Sequence, residues 1–346
     1  MIRLIAALLL VLSLCLPVHA VEYTAPEVPE SGRNLMPEET KSFGDGFEEL
    51  IKKAYTLICP DFAEALRLSG GVIASVLLVS ILRTFSGFSA DAVNLCGTVI
   101  VSIQLLTSAN SMIRLGCDTI NELSNYGKLL LPVMAASLAA QGGITTSTAL
   151  YIGTTVFDTL LGSLIARLLT PITFLTLAVG IAGQALGDDS LKKLQDMGKS
   201  IVTWSLKTAL MIYTAYMGIS GVVSGTTDAA ALKTAKLTIS TVVPVVGGIL
   251  SDASEAVLIS VGTMKNAAGI YGILAAAAIF LEPFLKIGAH YLVLKGTGAV
   301  CSVLDPKGIG GLLDSFSSVM GLVLAMTGTC CLLLLISTVC FLRGMS

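Results

Sequence analysis

Residues 128–187 read KLLLPVMAASLAAQGGITTSTALYIGTTVFDTLLGSLIARLLTPITFLTLAVGIAGQALG. After Lys128 the only charges in this stretch are Asp158 and Arg167. One bilayer crossing needs about 20 apolar residues, so a stretch this long crosses more than once, or crosses and turns back. Pro132 and Pro171 divide it, and Gln141-Gly142-Gly143 reads as a break. The punctuation predicts helices over Leu129–Leu150, Tyr151–Leu169 and Pro171–Gly187.

The layout recurs downstream. Pro244 lies in TVVPVVGGILSDASEAV and Pro283 in AIFLEPFLKIGAHYLVL, each 112 residues after its counterpart, Pro132 or Pro171. Paired apolar segments interrupted by Pro and Gly in corresponding halves mark transporter-like membrane folds. The expectation is a repeat over about 85–196 and 197–308; chance coincidence of prolines in apolar sequence is the competing reading. Non-helical backbone at membrane depth is tolerated only where protein or a water-filled cavity satisfies it. The candidate cavity lining is therefore Pro132, Gln141, Gly142 and Gly143 in the first block. In the second it is Pro244, Gly247, Gly248, Asp252 and Glu255. An ordinary kinked helix is the alternative at Gln141–Thr148, with threonine hydroxyls bonding back to carbonyls.

Composition sets the class. The 346 residues are 54% hydrophobic and 13% charged, against roughly 25% charged in soluble domains, and mean hydropathy is +0.86. This is an all-α, polytopic membrane protein with about eight transmembrane helices. A net charge of −2 without a basic run gives no attraction to nucleic acid. There is no CxxC, and with only two histidines no metal centre is expected. Cys96, Cys301, Cys330, Cys331 and Cys340 lie in apolar segments and are expected to be buried. No cofactor motif is present.

Met1-Ile-Arg, an apolar Ile5–Leu16 and Val18-His19-Ala20 read as a signal peptide over residues 1–20, or as an uncleaved first helix. Residues 21–66 read as an extracytoplasmic acidic leader and an amphipathic helix, with Phe47, Leu50, Ile51 and Ala54 on one face and an end at Cys59-Pro60. Asp61 and Glu64 suggest a capping box for the next helix. The membrane domain then fills 67–346, with spans at Leu68–Leu82 and Ala92–Ile113, a connecting helix at Leu115–Tyr126, and later spans at Ala267–Leu281, Phe284–Leu304 and Met320–Phe341. Asp188–Lys199 is the most charged part of the C-terminal two-thirds, a surface helix with Leu191 and Leu194 inward. Its lysines fit the positive-inside rule, and Trp204 suits an interfacial anchor.

Glu282, Lys286 and His290 fall at i, i+4 and i+8, on one helix face. Ionisable groups in apolar helices usually face a bundle interior or water, which suggests a polar path. The plainer reading is a helix end near Pro283, with Glu282 and Lys286 paired. Asp158 and Arg167 are nine residues apart, so each needs a partner on another helix. Gly218-Ile219-Ser220-Gly221 followed much later by His290 superficially matches an intramembrane serine protease, but the remaining pattern of such enzymes is missing. No catalysis is expected.

The chain resembles the stage III sporulation protein AE family of endospore-forming bacteria. The resemblance rests on NYGKLLLPVMAASLAAQGG (125–143), TPITFLTLAVGIAG (170–183), WSLKTALMIYTAYMGISG (204–221), STVVPVVGGILSDASEAVL (240–258) and LEPFLKIGAHYLV (281–293). It implies a permease-like, multi-pass protein of the mother-cell membrane around the forespore. The implied setting is a channel complex needed for late forespore gene expression, with an ATPase and ring-forming proteins as partners. It supplies no catalytic residues. A free-standing solute transporter and a non-conducting scaffold are the alternatives.

Overall fold

The computed structural model describes residues 26–37, 43–85, 90–140, 144–219, 267–304 and 309–344. Among these residues there is no strand. A one-turn helix α1 (Glu30–Arg33) precedes the long helices α2 (Phe43–Phe85) and α3 (Ala90–Ala140). Then come α4 (Ile144–Leu164), a π-helical turn (Ile165–Leu169) and α5 (Thr170–Leu186), which form one rod, followed by α6 (Asp189–Ile219), α7 (Ala267–Leu304) and α8 (Gly310–Gly344). Among the described residues, five stretches are long and apolar enough to cross a membrane: Gly44–Phe85, Ala92–Ala139, Ile144–Leu186, Gly269–Val303 and Gly310–Arg343.

The described rods are longer than the punctuation suggested, because four prolines do not end helices. Pro60, Pro132 and Pro283 lie inside α2, α3 and α7. A helix-interior proline loses one hydrogen bond and crowds the carbonyl four residues back. Pro60 and Pro132 stand on exposed faces, so the carbonyls released there are open to other donors. Pro171 follows the π-helical turn, where the Thr170 N–H reaches back five residues to the Ile165 carbonyl. The wider turn makes room for the ring. Consequently the helix end expected at Cys59-Pro60, the capping box at Asp61 and the separate helix at Leu115–Tyr126 are absent. Ala267–Leu281 and Phe284–Leu304 are one helix, and the division at residue 66 falls within α2.

Contacts fix the order in space. Asp61 meets Lys286, and Ser69 meets Thr297, so α2 and α7 run parallel. Gln104 on α3 bonds Ser75 on α2 at 3.0 Å, and Ser147 on α4 bonds the Ala135 carbonyl on α3 at 2.6 Å, so these neighbours run antiparallel. The reversal from α5 to α6 is made by Gly187 at φ 67°, a left-handed conformation that favours glycine. Asp188 then accepts from the Ser190 N–H at 2.8 Å and caps α6.

The centre is α8. Every residue from Val319 to Leu342 is buried, and α3 to α7 all pack on it. Apolar residues occur on all its faces, which is the pattern of a helix with no exposed side. Its hydroxyls bond back within the helix, as Thr329 does to the Ala325 carbonyl at 2.7 Å. Close approach relies on glycines: a Cβ at Gly116 would lie 2.3 Å from Val323, and one at Gly269 would lie 2.1 Å from Leu342.

Burial departs from expectation in places. Leu50 and Ala54 are buried, whereas Phe47 and Ile51 are exposed. Leu194 points outward, and Gln195 takes the inner position. Cys96 is exposed, while Cys301, Cys330, Cys331 and Cys340 are buried.

Gly153 tests the packing between α4 and α6. A Cβ there would sit 2.1 Å from the Tyr216 ring, whose hydroxyl donates to the Ala149 carbonyl at 2.8 Å. Gly153→Ala is expected to destabilise by about 1–3 kcal/mol. Gly162→Ala, where nothing lies within 4 Å, is expected to stabilise by up to about 1 kcal/mol. Thermal melts of both variants in one detergent check the contrast.

Candidate functional site

Of the residues expected to line a pathway, Pro132, Glu282, Lys286 and His290 are described. Gln141, Gly142, Gly143, Pro244, Gly247, Gly248, Asp252 and Glu255 lie outside the described residues, as do the signal peptide and Ser220. Pro132 is exposed within unbroken α3. The described part of α3 ends at Ala140 and α4 begins at Ile144, on either side of Gln141-Gly142-Gly143.

The α7 residues meet a partner that the capping-box reading had hidden. Lys286 Nζ lies 2.7 Å from Asp61 Oδ1 of α2, with side chains one-third and one-sixth exposed. Glu282 stands one turn before Lys286 on α7 and lies within electrostatic range of both Lys286 and Asp61. Two carboxylates thus flank one ammonium on the α2–α7 seam. His290 is buried, and its Nδ1 donates to the Lys286 carbonyl at 3.0 Å. Further along the same seam, the Ser69 and Thr297 hydroxyls share a buried hydrogen bond. Asp61 could have been found from sequence by asking which carboxylate an apolar helix carrying Lys286 requires.

A second polar group lies between α3, α4, α6 and α8. Ser124 donates to Asp158 at 2.8 Å, supplying the partner on another helix that Asp158 needs. The Tyr213 hydroxyl contacts Ser337 and Thr154, and its ring meets Phe157 edge-on at 5.2 Å. Nearby, Ser31 of α1 bonds Glu122 of α3.

Several charges share one height. Gly116 abuts Val323 and Ile287, and Cys117 lies 3.6 Å from Thr170. Arg114 and Asp118 on α3, Arg167 before α5, and Asp61 and Lys286 are therefore level, near the middle of each rod. Arg114, Asp118 and Arg167 are exposed. Helices of 43 and 51 residues extend about 65–75 Å, roughly twice a hydrocarbon core of about 30 Å. A charged band thus lies near the middle of rods whose longest, α2 and α3, are about twice the hydrocarbon thickness. Among the described residues no group of three His, Cys, Asp or Glu is arranged to hold a metal ion.

Helical structure throughout the described residues and long apolar helices define an all-α, multi-pass membrane protein. The chain belongs to the stage III sporulation protein AE family, whose pattern it matches over residues 34–343. A curated relative, stage III sporulation protein AE of Bacillus subtilis (strain 168), is 24% identical over 208 residues, covering 60% of this chain and 51% of the relative. The chain thus matches about half the length of that relative. No solved structure matches.

The Asp61–Lys286 pair can be measured by a double-mutant cycle. Lys286→Met leaves Asp61 and Glu282 facing each other without a cation and is expected to destabilise more than the Asp61→Asn/Lys286→Met pair. The expected coupling is about 0.5–3 kcal/mol. Additive melting shifts would show that the two side chains do not interact.

Proposed function

We propose that this protein is the permease-like, non-enzymatic membrane component of a multi-protein transport or secretion channel. It acts in the mother-cell membrane around the forespore and is required for late forespore gene expression. The family supports the sporulation setting. The single structural observation that favours a component over a self-sufficient transporter is the centre of the bundle. Among the described residues, Val319–Leu342 occupies it and is buried throughout, and Asp61, Lys286 and Asp158 meet partners in helix–helix seams. Transporter substrate sites usually lie at midplane between broken helices. A solid centre instead favours a path formed where this chain meets other subunits. Its partners in this reading are an ATPase and ring-forming proteins, with the bilayer around it.

Crosslinking of the full chain in sporulating cells tests the assignment. The expected result is recovery with an ATPase and ring-forming proteins, and no solute uptake by liposomes containing this chain alone. Solute uptake by the lone protein, with no such partners recovered, would overturn it. Cysteine scanning tests the path itself. In a background lacking the exposed Cys59 and Cys96, Gln141→Cys and Gly247→Cys are expected to react with aqueous thiol reagents. Silence at both positions counts against a wet lining there.

A further inference from the structure

A groove of about 510 Å³ opens between α6 and α8, lined by Asp196, Lys199, Ser200, Thr203, Trp204, Lys207, Ser318 and Leu322. Lys199, Thr203 and Lys207 follow at four-residue spacing, which puts them on one face of α6. The two ammonium-bearing residues are separated by about 12 Å along the axis. Ser318 of α8 and Ser200 of α6 add hydroxyl donors. Asp196 is the one carboxylate in the groove, and it pairs with Lys199 at 3.3 Å. Lys207 has no ion-pair partner among the described residues. The groove therefore carries a net charge of +1 and an unspent cation.

Its height and walls identify the ligand. On α6 the charged run ends at Lys199, and apolar residues predominate from Ile201. On α8 the polar run Asp314-Ser315-Phe316-Ser317-Ser318 gives way to Val319 and continuous apolar sequence. The groove sits where both helices change from polar to apolar. Gly198 packs on Thr176 and Tyr213 on Thr154. Between those contacts lie Trp204 and Lys207 on one rod and Arg167 on the other, so the lower end of the groove is level with the charged band. Charges are expelled from the hydrocarbon, so a bilayer surface is expected at such a band. Trp204 is 68% exposed, and Met211 and Ile212 are exposed further along α6. They offer an aromatic residue at the interface and an apolar track beyond it.

We propose that this groove binds the phosphate-bearing headgroup of an anionic glycerophospholipid. Lys199 and Lys207 contact phosphate oxygens, Thr203, Ser200 and Ser318 donate to the headgroup, and the acyl chains follow Met211 and Ile212. Basic pockets between membrane helices bind such headgroups in this way.

The test uses the purified full chain in detergent, with phosphatidylglycerol, cardiolipin or phosphatidylcholine added. Bound lipid is counted by native mass spectrometry, and stability is read by thermal melting. Phosphatidylglycerol or cardiolipin is expected to stay bound and raise the melting midpoint, and phosphatidylcholine to do neither. Lys199→Gln/Lys207→Gln is expected to weaken anionic-lipid binding roughly tenfold, and Lys207→Gln alone by a smaller factor. Lys192→Gln/Lys193→Gln removes equal charge outside the groove and is expected to leave binding unchanged. Equal losses in the two double variants, or equal retention of all three lipids, would overturn the proposal. So would full stabilisation by inorganic phosphate alone, which would make the groove a free-phosphate site.

Discussion

The bundle depends on one helix that cannot touch water. From Val319 to Leu342, α8 is apolar on every side, so no orientation offers a polar face to an aqueous phase. It is satisfied only when surrounded, and α3 to α7 all pack on it. In lipid there is little hydrophobic drive between helices, and close packing and hydrogen bonds hold them together instead. The contacts reflect this. Glycines of neighbouring helices let Val323, Leu334 and Leu342 approach closely, and a hydroxyl of α8, Ser337, reaches Tyr213 of α6.

The same economy governs charge. Asp61, Lys286 and Asp158 are each tied to a neighbour on another helix, so polarity works as stitching between rods. Arg114, Asp118 and Arg167 are exposed at the height of the Asp61–Lys286 pair, and further exposed charges such as Glu48, Lys52 and Asp189 lie near helix ends. This arrangement separates two roles that a single broken-helix transporter would merge. The seams hold the rods together, and the outer surfaces and the groove beside α6 are where the proposed lipid and partner contacts would fall.

Much of this was legible in the sequence, and the failures share a physical cause. Class, all-helical content and the isolation of α8 follow from hydropathy alone. The turn at Gly187-Asp188 follows from a glycine C-cap beside an aspartate N-cap. Helix boundaries failed at Pro60 and Pro283, because proline was read as a stop. In a long helix held by neighbours, the loss of one hydrogen bond is outweighed by the packing that continues on either side, and the π-helical turn before Pro171 shows another way to absorb the ring. Asp61 was missed for a related reason. Its local pattern matched a cap, while its actual partner lies 225 residues away, and no local rule sees that distance. Of the prolines that suggested an internal repeat, Pro132, Pro171 and Pro283 all lie within long rods, and Pro244 is not among the described residues.

The position of α8 in the chain bears on how the protein is made. The helices that wrap it emerge from the ribosome first, and for that interval their inner faces have no filling. Glycine-lined surfaces on α3 and α7, shaped to admit branched side chains, must wait in the membrane without collapsing on one another. The compact bundle therefore arises only once α8 inserts among the helices that precede it in the chain.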